Sequence, residues 1–349
     1  MRETRNIVSR KKIAKGAGAG AALALGILCL CAAARAQDAS GRAKLNGNPD
    51  AAKFVTSDLN NFLHAYALAS HATTDAEKAA IYQHEYLDKG SPGLKDFVDA
   101  RIKSVANLVH AIDTHPKYYA SLQSVIPQVA PMERAMRASF RKLKELYSDA
   151  VFPDVYFLVG RMNSAGTTGP SGLLIGLEMD AKTATTDMSE MDNWYKAVLG
   201  SPDRLPGIVA HELIHYQQAT TDPKTLLAAS IIEGSADFVG QMISGQNINT
   251  TAYAYGDAHE AELWHEFSTE MNGTDFSHWL YQGDKSKDRP ADLGYYMGYK
   301  ITQAYYERAT DKKQALRAIL MVTDFPALLR DSHYADKFAS ASGGEDLKK

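Results

Sequence analysis

The segment His211-Glu212-Leu213-Ile214-His215 constrains this chain more than any other. Two histidines four apart on a helix share one face, displaced by a turn, so both imidazoles can reach a single ion. Glu212 falls to the side of that pair, where it can take a proton from water polarised by the ion. Pro206 and Gly207 precede the motif, and Ile208, Val209, Leu213 and Ile214 supply an apolar stripe, so the spacing predicts a helix here. A catalytic zinc takes three protein ligands and keeps a fourth position open. A second helix, starting at Pro223 and Lys224, offers the third ligand. Its core face is Leu226, Leu227, Ile231, Ile232, Phe238 and Val239, and Glu233 falls 18 residues after His215. A turn over residues 220–223 lets this helix run back beside the first. Gly234 and Ala236 are small enough to permit close approach. Asp237 sits one turn beyond Glu233 on the same face, placed to accept the second N–H of a ligating histidine. The plain alternative is that Glu233 and Asp237 form a solvated face, which fits poorly with Ile231, Ile232 and Phe238 around them.

The chain before this motif changes texture once. From Ala51 to about Tyr147, apolar residues such as Phe54, Leu59, Phe62, Leu63 and Tyr66 recur at helical spacing, and Ser91-Pro92, His115-Pro116 and Ala130-Pro131 each open a helix. The pattern predicts five helices and no strand over residues 51–150. Val155 to Val159 and Leu173 to Leu177 are short, apolar runs that read as strands, separated by a loop rich in glycine and threonine. Glu178 follows the second run. No repeat or low-complexity stretch interrupts the chain.

The first 36 residues read as an export signal. Arg2, Arg5, Arg10, Lys11, Lys12 and Lys15 precede an uncharged run from Gly16 to Ala34, and Ala34-Arg35-Ala36 is a small-residue cleavage pattern. An uncleaved anchor is the competing reading, although alanine and glycine insert weakly. Cys29 and Cys31, each preceded by leucine rather than a small residue, give a poor lipid-attachment signal. Cleavage after Ala36 leaves no cysteine, hence no disulfide and no thiol ligand. Seven of the 38 Lys and Arg lie in the signal, against one of the 41 Asp and Glu. The mature chain therefore carries 31 basic and 40 acidic groups, a formal charge of −9. That balance argues against a nucleic-acid partner. With no second long apolar run read in the sequence, stable membrane insertion is not expected after cleavage. Residues 37–50 read as a flexible leader, and the location as periplasmic or secreted.

The motif set resembles the gluzincin class of zinc peptidases, in which thermolysin-like members combine HExxH with a downstream glutamate ligand and an aspartate four residues beyond it. The chain is more closely similar to a group of predicted bacterial zinc-dependent proteases related to a gliding-motility lipoprotein family. That similarity extends over Tyr86 to Leu94, Gly160 to Glu178, HExxH, Glu233-Gly234-Ser235-Ala236-Asp237, and Gly294 to Lys300. The resemblance implies an α+β, mostly helical fold with a zincin-like catalytic core over residues 151–345, combining a small sheet with two metal-binding helices. It also implies metallopeptidase machinery with one Zn2+ per chain but supplies no substrate; with the export signal, the expectation is an exported zinc peptidase acting on a peptide or protein. His211, His215 and Glu233 would be the ligands, Glu212 the general base and Asp237 the partner of a ligating histidine. Such a peptidase needs a donor for the developing oxyanion. Tyr295, Tyr296 and Tyr299 are the candidates, with Tyr296 and Tyr299 taken as the catalytic pair. An edge strand beside the metal would bind substrate backbone by strand addition. Leu173 to Leu177 is the expected strand, with Glu178 a structural or cleft carboxylate.

Two other classes compete. Glu212-x-x-His215 and Glu262-x-x-His265 are both ExxH elements, the spacing used by di-iron helical bundles, with Glu178 or Glu233 as bridging carboxylates. That reading leaves His211 idle and the strands unexplained. A binding or chaperone-like protein could keep a structural metal, but structural zinc sites favour four protein ligands and often cysteine. His64, His71, His84, His110, His115 and His333 are isolated and read as surface or satisfied groups.

Overall fold

The computed structural model describes residues 46–220, 222–286 and 288–339. The export segment over residues 1–36, with Cys29 and Cys31, and most of the expected leader lie outside them. The fold is α+β and mostly helical. Among the described residues one sheet forms, of four strands, β1 (Phe54–Val55), β2 (Asp154–Leu158), β3 (Gly166–Gly169) and β4 (Gly172–Gly176), in the order β1-β2-β4-β3. The first three neighbours are parallel, with Val155 opposite Leu173 and Phe157 opposite Ile175, while β3 runs antiparallel to β4. Val155 to Leu158 and Leu173 to Ile175 are apolar at consecutive positions because helices cover both faces of the sheet. The helix Leu205–Gln217 packs on one face. Helices Ser57–Ala69 and Pro92–Phe97 pack on the other, where Gly93 lies against Tyr156 and Phe97 against Gly176.

Two expectations for the N-terminal region are corrected here. Phe54 and Val55 form a strand, aligned with Val155 and Tyr156; two residues inside a helix-spaced apolar pattern carry no strand signal of their own. The region holds six α-helices rather than five, because Thr74 caps one with a reciprocal bond to Glu77 and Ser104 caps another. The prolines do open helices at Pro92 and Pro116. Ala130-Pro131 opens a short 3-10 turn that leads into Glu133–Leu146. One apolar core joins both parts of the chain, running from Ala52 in the first to Leu320 in the last.

The helix Leu226–Ser244 is the centre of the C-terminal half. Thr225 caps it, accepting from the Ala228 N–H, so it starts at Leu226, three residues after Pro223. It lies between Leu205–Gln217 and Leu293–Arg308. By length and composition it could cross a bilayer, but it is buried inside the fold and carries Glu233 and Asp237. The small residues serve differently from expectation. A Cβ on Gly234 would stand 2.1 Å from the Tyr299 backbone nitrogen, and one on Gly298 would stand 1.7 Å from the Ser230 carbonyl oxygen. Gly234 therefore permits contact with Leu293–Arg308. Gly240 is the small residue that faces the histidine-bearing helix, where a Cβ would stand 3.2 Å from the His211 backbone nitrogen.

Candidate metal centre

The histidine-bearing helix is buried along almost its whole length, from Leu205 to His215. Its apolar residues pack between the sheet and Leu226–Ser244, which fixes the direction of His211 and His215. Their Nε2 atoms lie 2.9 Å apart, and Glu233 Oε2 lies 3.1 Å from His215 Nε2 and 3.6 Å from His211 Nε2. These three side chains are the group among the described residues that could hold a metal ion.

The outer nitrogens determine what the inner ones can do. Asp237 Oδ1 accepts from His211 Nδ1 at 2.8 Å, and Asp237 Oδ2 accepts from Asn249 Nδ2 and Tyr253 Oη. A carboxylate that only accepts places the His211 proton on Nδ1. Gln218 does the same for His215. Its Nε2 donates to the Ile232 carbonyl and to Ser235 Oγ, which turns its Oε1 toward His215 Nδ1 at 2.8 Å. Both Nδ1 atoms are thus donors, and both Nε2 lone pairs face Glu233. Two lone pairs 2.9 Å apart repel unless a cation or proton stands between them.

A tetrahedral zinc with bonds near 2.05 Å sets its ligand atoms about 3.3 Å apart. The three separations here bracket that value, and two imidazoles with a carboxylate are a zinc-compatible donor set. Without an ion, protons take its place. Burial and the neighbouring His215 oppose protonation of His211, but bonds to Asp237 and Glu233 outweigh them and raise its pKa to about 9. Burial works against ionised Glu233, yet the charges and hydrogen bonds of His215 and His211 hold its carboxyl well below the usual range.

Glu212 stands beside this group. Burial pushes its pKa up, opposed by the histidines and by Arg101, and its Oε2 has no hydrogen-bond partner. A Cβ on Gly166 would lie 2.5 Å from Glu212 Oε1, so the backbone of β3 runs directly against this carboxylate. The edge strand at the site is therefore β3. Leu173 to Leu177 was expected there, but Gly172–Gly176 lies between β2 and β3, and its polar backbone groups are engaged on both sides. The glycine- and threonine-rich composition of β3 disguises it as loop.

The tyrosines are also redistributed. Tyr296 donates to Asp257 and is buried against Gly256, while Tyr299 donates to Gln241 and packs against Phe238 and Tyr253. Neither hydroxyl is directed to the cluster. Tyr295 lies parallel to the His211 ring at 6.2 Å, and Tyr281, which sequence reasoning missed, donates to Glu233 Oε1 at 2.8 Å. Tyr281 sits at φ 58° after a buried Trp279-Leu280 pair, and reciprocal bonds between Gln282 and Asp292 close the segment behind it. Asn249, Tyr253 and Gln218 were missed too; an amide three residues after HExxH was the one available signal.

Glu178 lies apart from the cluster, fully buried beneath the sheet, where it accepts from the Met162 N–H. Burial pushes it up to about 7 and nearby Asp180 to about 6. Glu262 and His265 are exposed on the outer side of Glu260–Glu270, whose buried side carries Leu263, Trp264 and Phe267. Among the described residues the second ExxH element therefore joins no metal group, which removes the di-iron arrangement.

A family model described as gliding motility protein GldB matches residues 55–336. No curated protein and no solved structure matches the chain.

Proposed function

The chain belongs to the family of the gliding motility protein GldB, and from the geometry of its metal centre we propose that it is an exported zinc-dependent peptidase. The observation that carries this reading is the position of Glu212, a buried carboxylate with one unpartnered oxygen beside three convergent ligand atoms. A purely structural metal site has no use for such a group. Zinc, when bound by His211, His215 and Glu233, supplies a Lewis acid and brings the pKa of water toward neutrality.

The remaining steps belong to the chain. Asp237 and Gln218 keep both imidazoles in the tautomer that presents Nε2. Tyr281 holds the second oxygen of Glu233, so that carboxylate offers Oε2 to the cluster. Edge strand β3 aligns an extended peptide by backbone pairing and carries its scissile carbonyl past Glu212. Glu212 takes a proton from the attacking water and returns it to the leaving nitrogen. Burial of Glu212, which raises its pKa, suits it to both halves of that exchange. Tyr295, stacked beside His211, replaces Tyr296 and Tyr299 as the nearest candidate for the oxyanion. The product site is periplasmic or extracellular, as the N-terminal segment implies.

The test is a peptide-library digest with the purified mature chain, with and without a zinc chelator, beside Glu212→Gln. Chelator-sensitive cleavage that the variant lacks supports the reading. Absence of cleavage by the zinc-loaded wild type across the library rejects it.

A further inference from the structure

The two faces of β3 meet different chemistry. Gly166 lies on the face turned to Glu212. Thr167, next in the alternation and paired with Leu174, lies on the other. Arg101 arrives at this second face from a widened helical turn, Val98–Ile102, and donates from Nη2 to Thr167 Oγ1 at 3.0 Å. Its side chain is buried, 7% exposed, and its Nε has no partner. The arginines in ion pairs among the described residues are Arg137, Arg141, Arg204, Arg289, Arg317 and Arg330, and Arg101 is not one of them, although its charge reaches Glu212. The Arg101 carbonyl in turn accepts from Arg161 Nε at 2.9 Å and from Asn163 Nδ2 at 3.2 Å. Arg161 also lacks an ion pair among the described residues, and buried Asn163 Oδ1 is unpartnered.

Arg101 and Arg161 thus meet through the Arg101 backbone, neither in an ion pair among the described residues; the nearest acid on this face, Asp96, stands at the Gly169 end of β3 and accepts from the Ser171 N–H. Burying a guanidinium without a counter-ion is costly, because the lost hydration is not replaced. Among the described residues Arg101 Nε has no acceptor and Asn163 Oδ1 has no donor. A peptide offers both, as a carboxylate and a backbone N–H. Planar guanidinium matches carboxylate in two-pronged geometry.

We propose that Arg101, supported by Arg161 and Asn163, receives a carboxylate of the bound peptide on the face of β3 away from the metal ligands. This rests on the peptidase reading above. A peptide added to β3 turns alternate residues to the Thr167 face, so the recognised carboxylate belongs to positions of one parity. Its source is either an aspartate or glutamate side chain or the peptide C-terminus.

The experiment uses the zinc-loaded mature chain as wild type, Arg101→Met and Arg101→Lys. Substrates are matched quenched peptides, glutamate against glutamine at each position, and C-terminal acid against amide. One matched pair should favour the carboxylate form by about 10- to 100-fold in kcat/KM, falling toward unity in Arg101→Met and partly recovering in Arg101→Lys. Preference in the glutamate arm assigns a side chain; preference in the acid arm assigns the terminus. Calorimetry with the same peptides on Glu212→Gln, with and without Arg101→Met, reads the preference in Kd without turnover. Arg101→Met should also melt at or above the wild-type temperature. Equal treatment of every pair, or a preference that survives Arg101→Met, overturns the proposal, as does a fall of several degrees in its melting point. A calorimetric preference lost in Arg101→Met, without cleavage by wild type, leaves the carboxylate site standing and rejects the peptidase. Neither cleavage nor preference rejects both.

Discussion

Gln218 presents its amide oxygen to His215 Nδ1 at the same 2.8 Å at which Asp237 meets His211 Nδ1. One imidazole is oriented by a carboxylate and the other by an amide, and the amide is itself oriented by Ile232 and Ser235 on the neighbouring helix. Removing either partner frees an imidazole to rotate or change tautomer. Asp237→Ala and Gln218→Leu are each expected to weaken zinc binding about 10- to 100-fold. Competition against a chromophoric chelator measures this; wild-type affinity in both variants would contradict the assigned roles.

Glu212 stands outside the group of three ligands and its Oε2 has no hydrogen-bond partner, so its loss separates chemistry from binding. Glu212→Gln is expected to keep its metal and lose about 10²- to 10⁴-fold in kcat. Metal analysis beside steady-state kinetics reads both. Loss of metal together with activity would instead make Glu212 part of the scaffold.

The ligand helices were legible because their residues satisfy a spacing rule and a burial rule together. HExxH fixes a helical face, and Glu233 lies among Ile231, Ile232 and Phe238, where a carboxylate without a purpose would be costly. Asp237 followed from the same turn. What sequence could not reveal depends on distant segments. Tyr281 reaches Glu233 from an irregular stretch between helices. Strand β3, Gly-Thr-Thr-Gly, has the composition of a loop and becomes a strand only because β4 pairs with it. Phe54 and Val55 likewise become a strand through Val155 and Tyr156, a hundred residues away. The choice among Tyr295, Tyr296 and Tyr299 turned on which side of one helix faces the metal, and their spacing alone did not set that.

Glu178 gives a pH dependence distinct from the metal site. Its carboxyl titrates near 4.5 when unfolded and about 7 in the buried native setting, so protonation favours the fold. That contribution is complete below 4.5 and is lost as pH rises through 7, a cost on the order of 3 kcal/mol at pH 8. Asp180, raised to about 6, adds in the same direction. Glu178→Gln keeps an oxygen for the Met162 N–H and carries no charge. Its urea midpoint should match wild type at pH 4.5 and exceed it at pH 8. A variant less stable at pH 8 would show that Glu178 is needed as an anion.

The contact between Leu226–Ser244 and Leu293–Arg308 depends on absent side chains. Gly298→Ala places a methyl group 1.7 Å from the Ser230 carbonyl oxygen, on the backbone three residues before Glu233. The helices must separate, and the substitution should destabilise by about 3 kcal/mol or more. Chemical denaturation measures the loss; a midpoint within error of wild type would contradict this packing.

His211, His215 and Glu233 are expected to hold one zinc ion. Metal analysis of the purified mature chain, by mass spectrometry of intact native protein and elemental assay, tests it most directly. One zinc per chain is expected, falling below about a tenth of an equivalent in Glu233→Ala and in His215→Ala. No stoichiometric metal in wild type, or full zinc retained in Glu233→Ala, would contradict it.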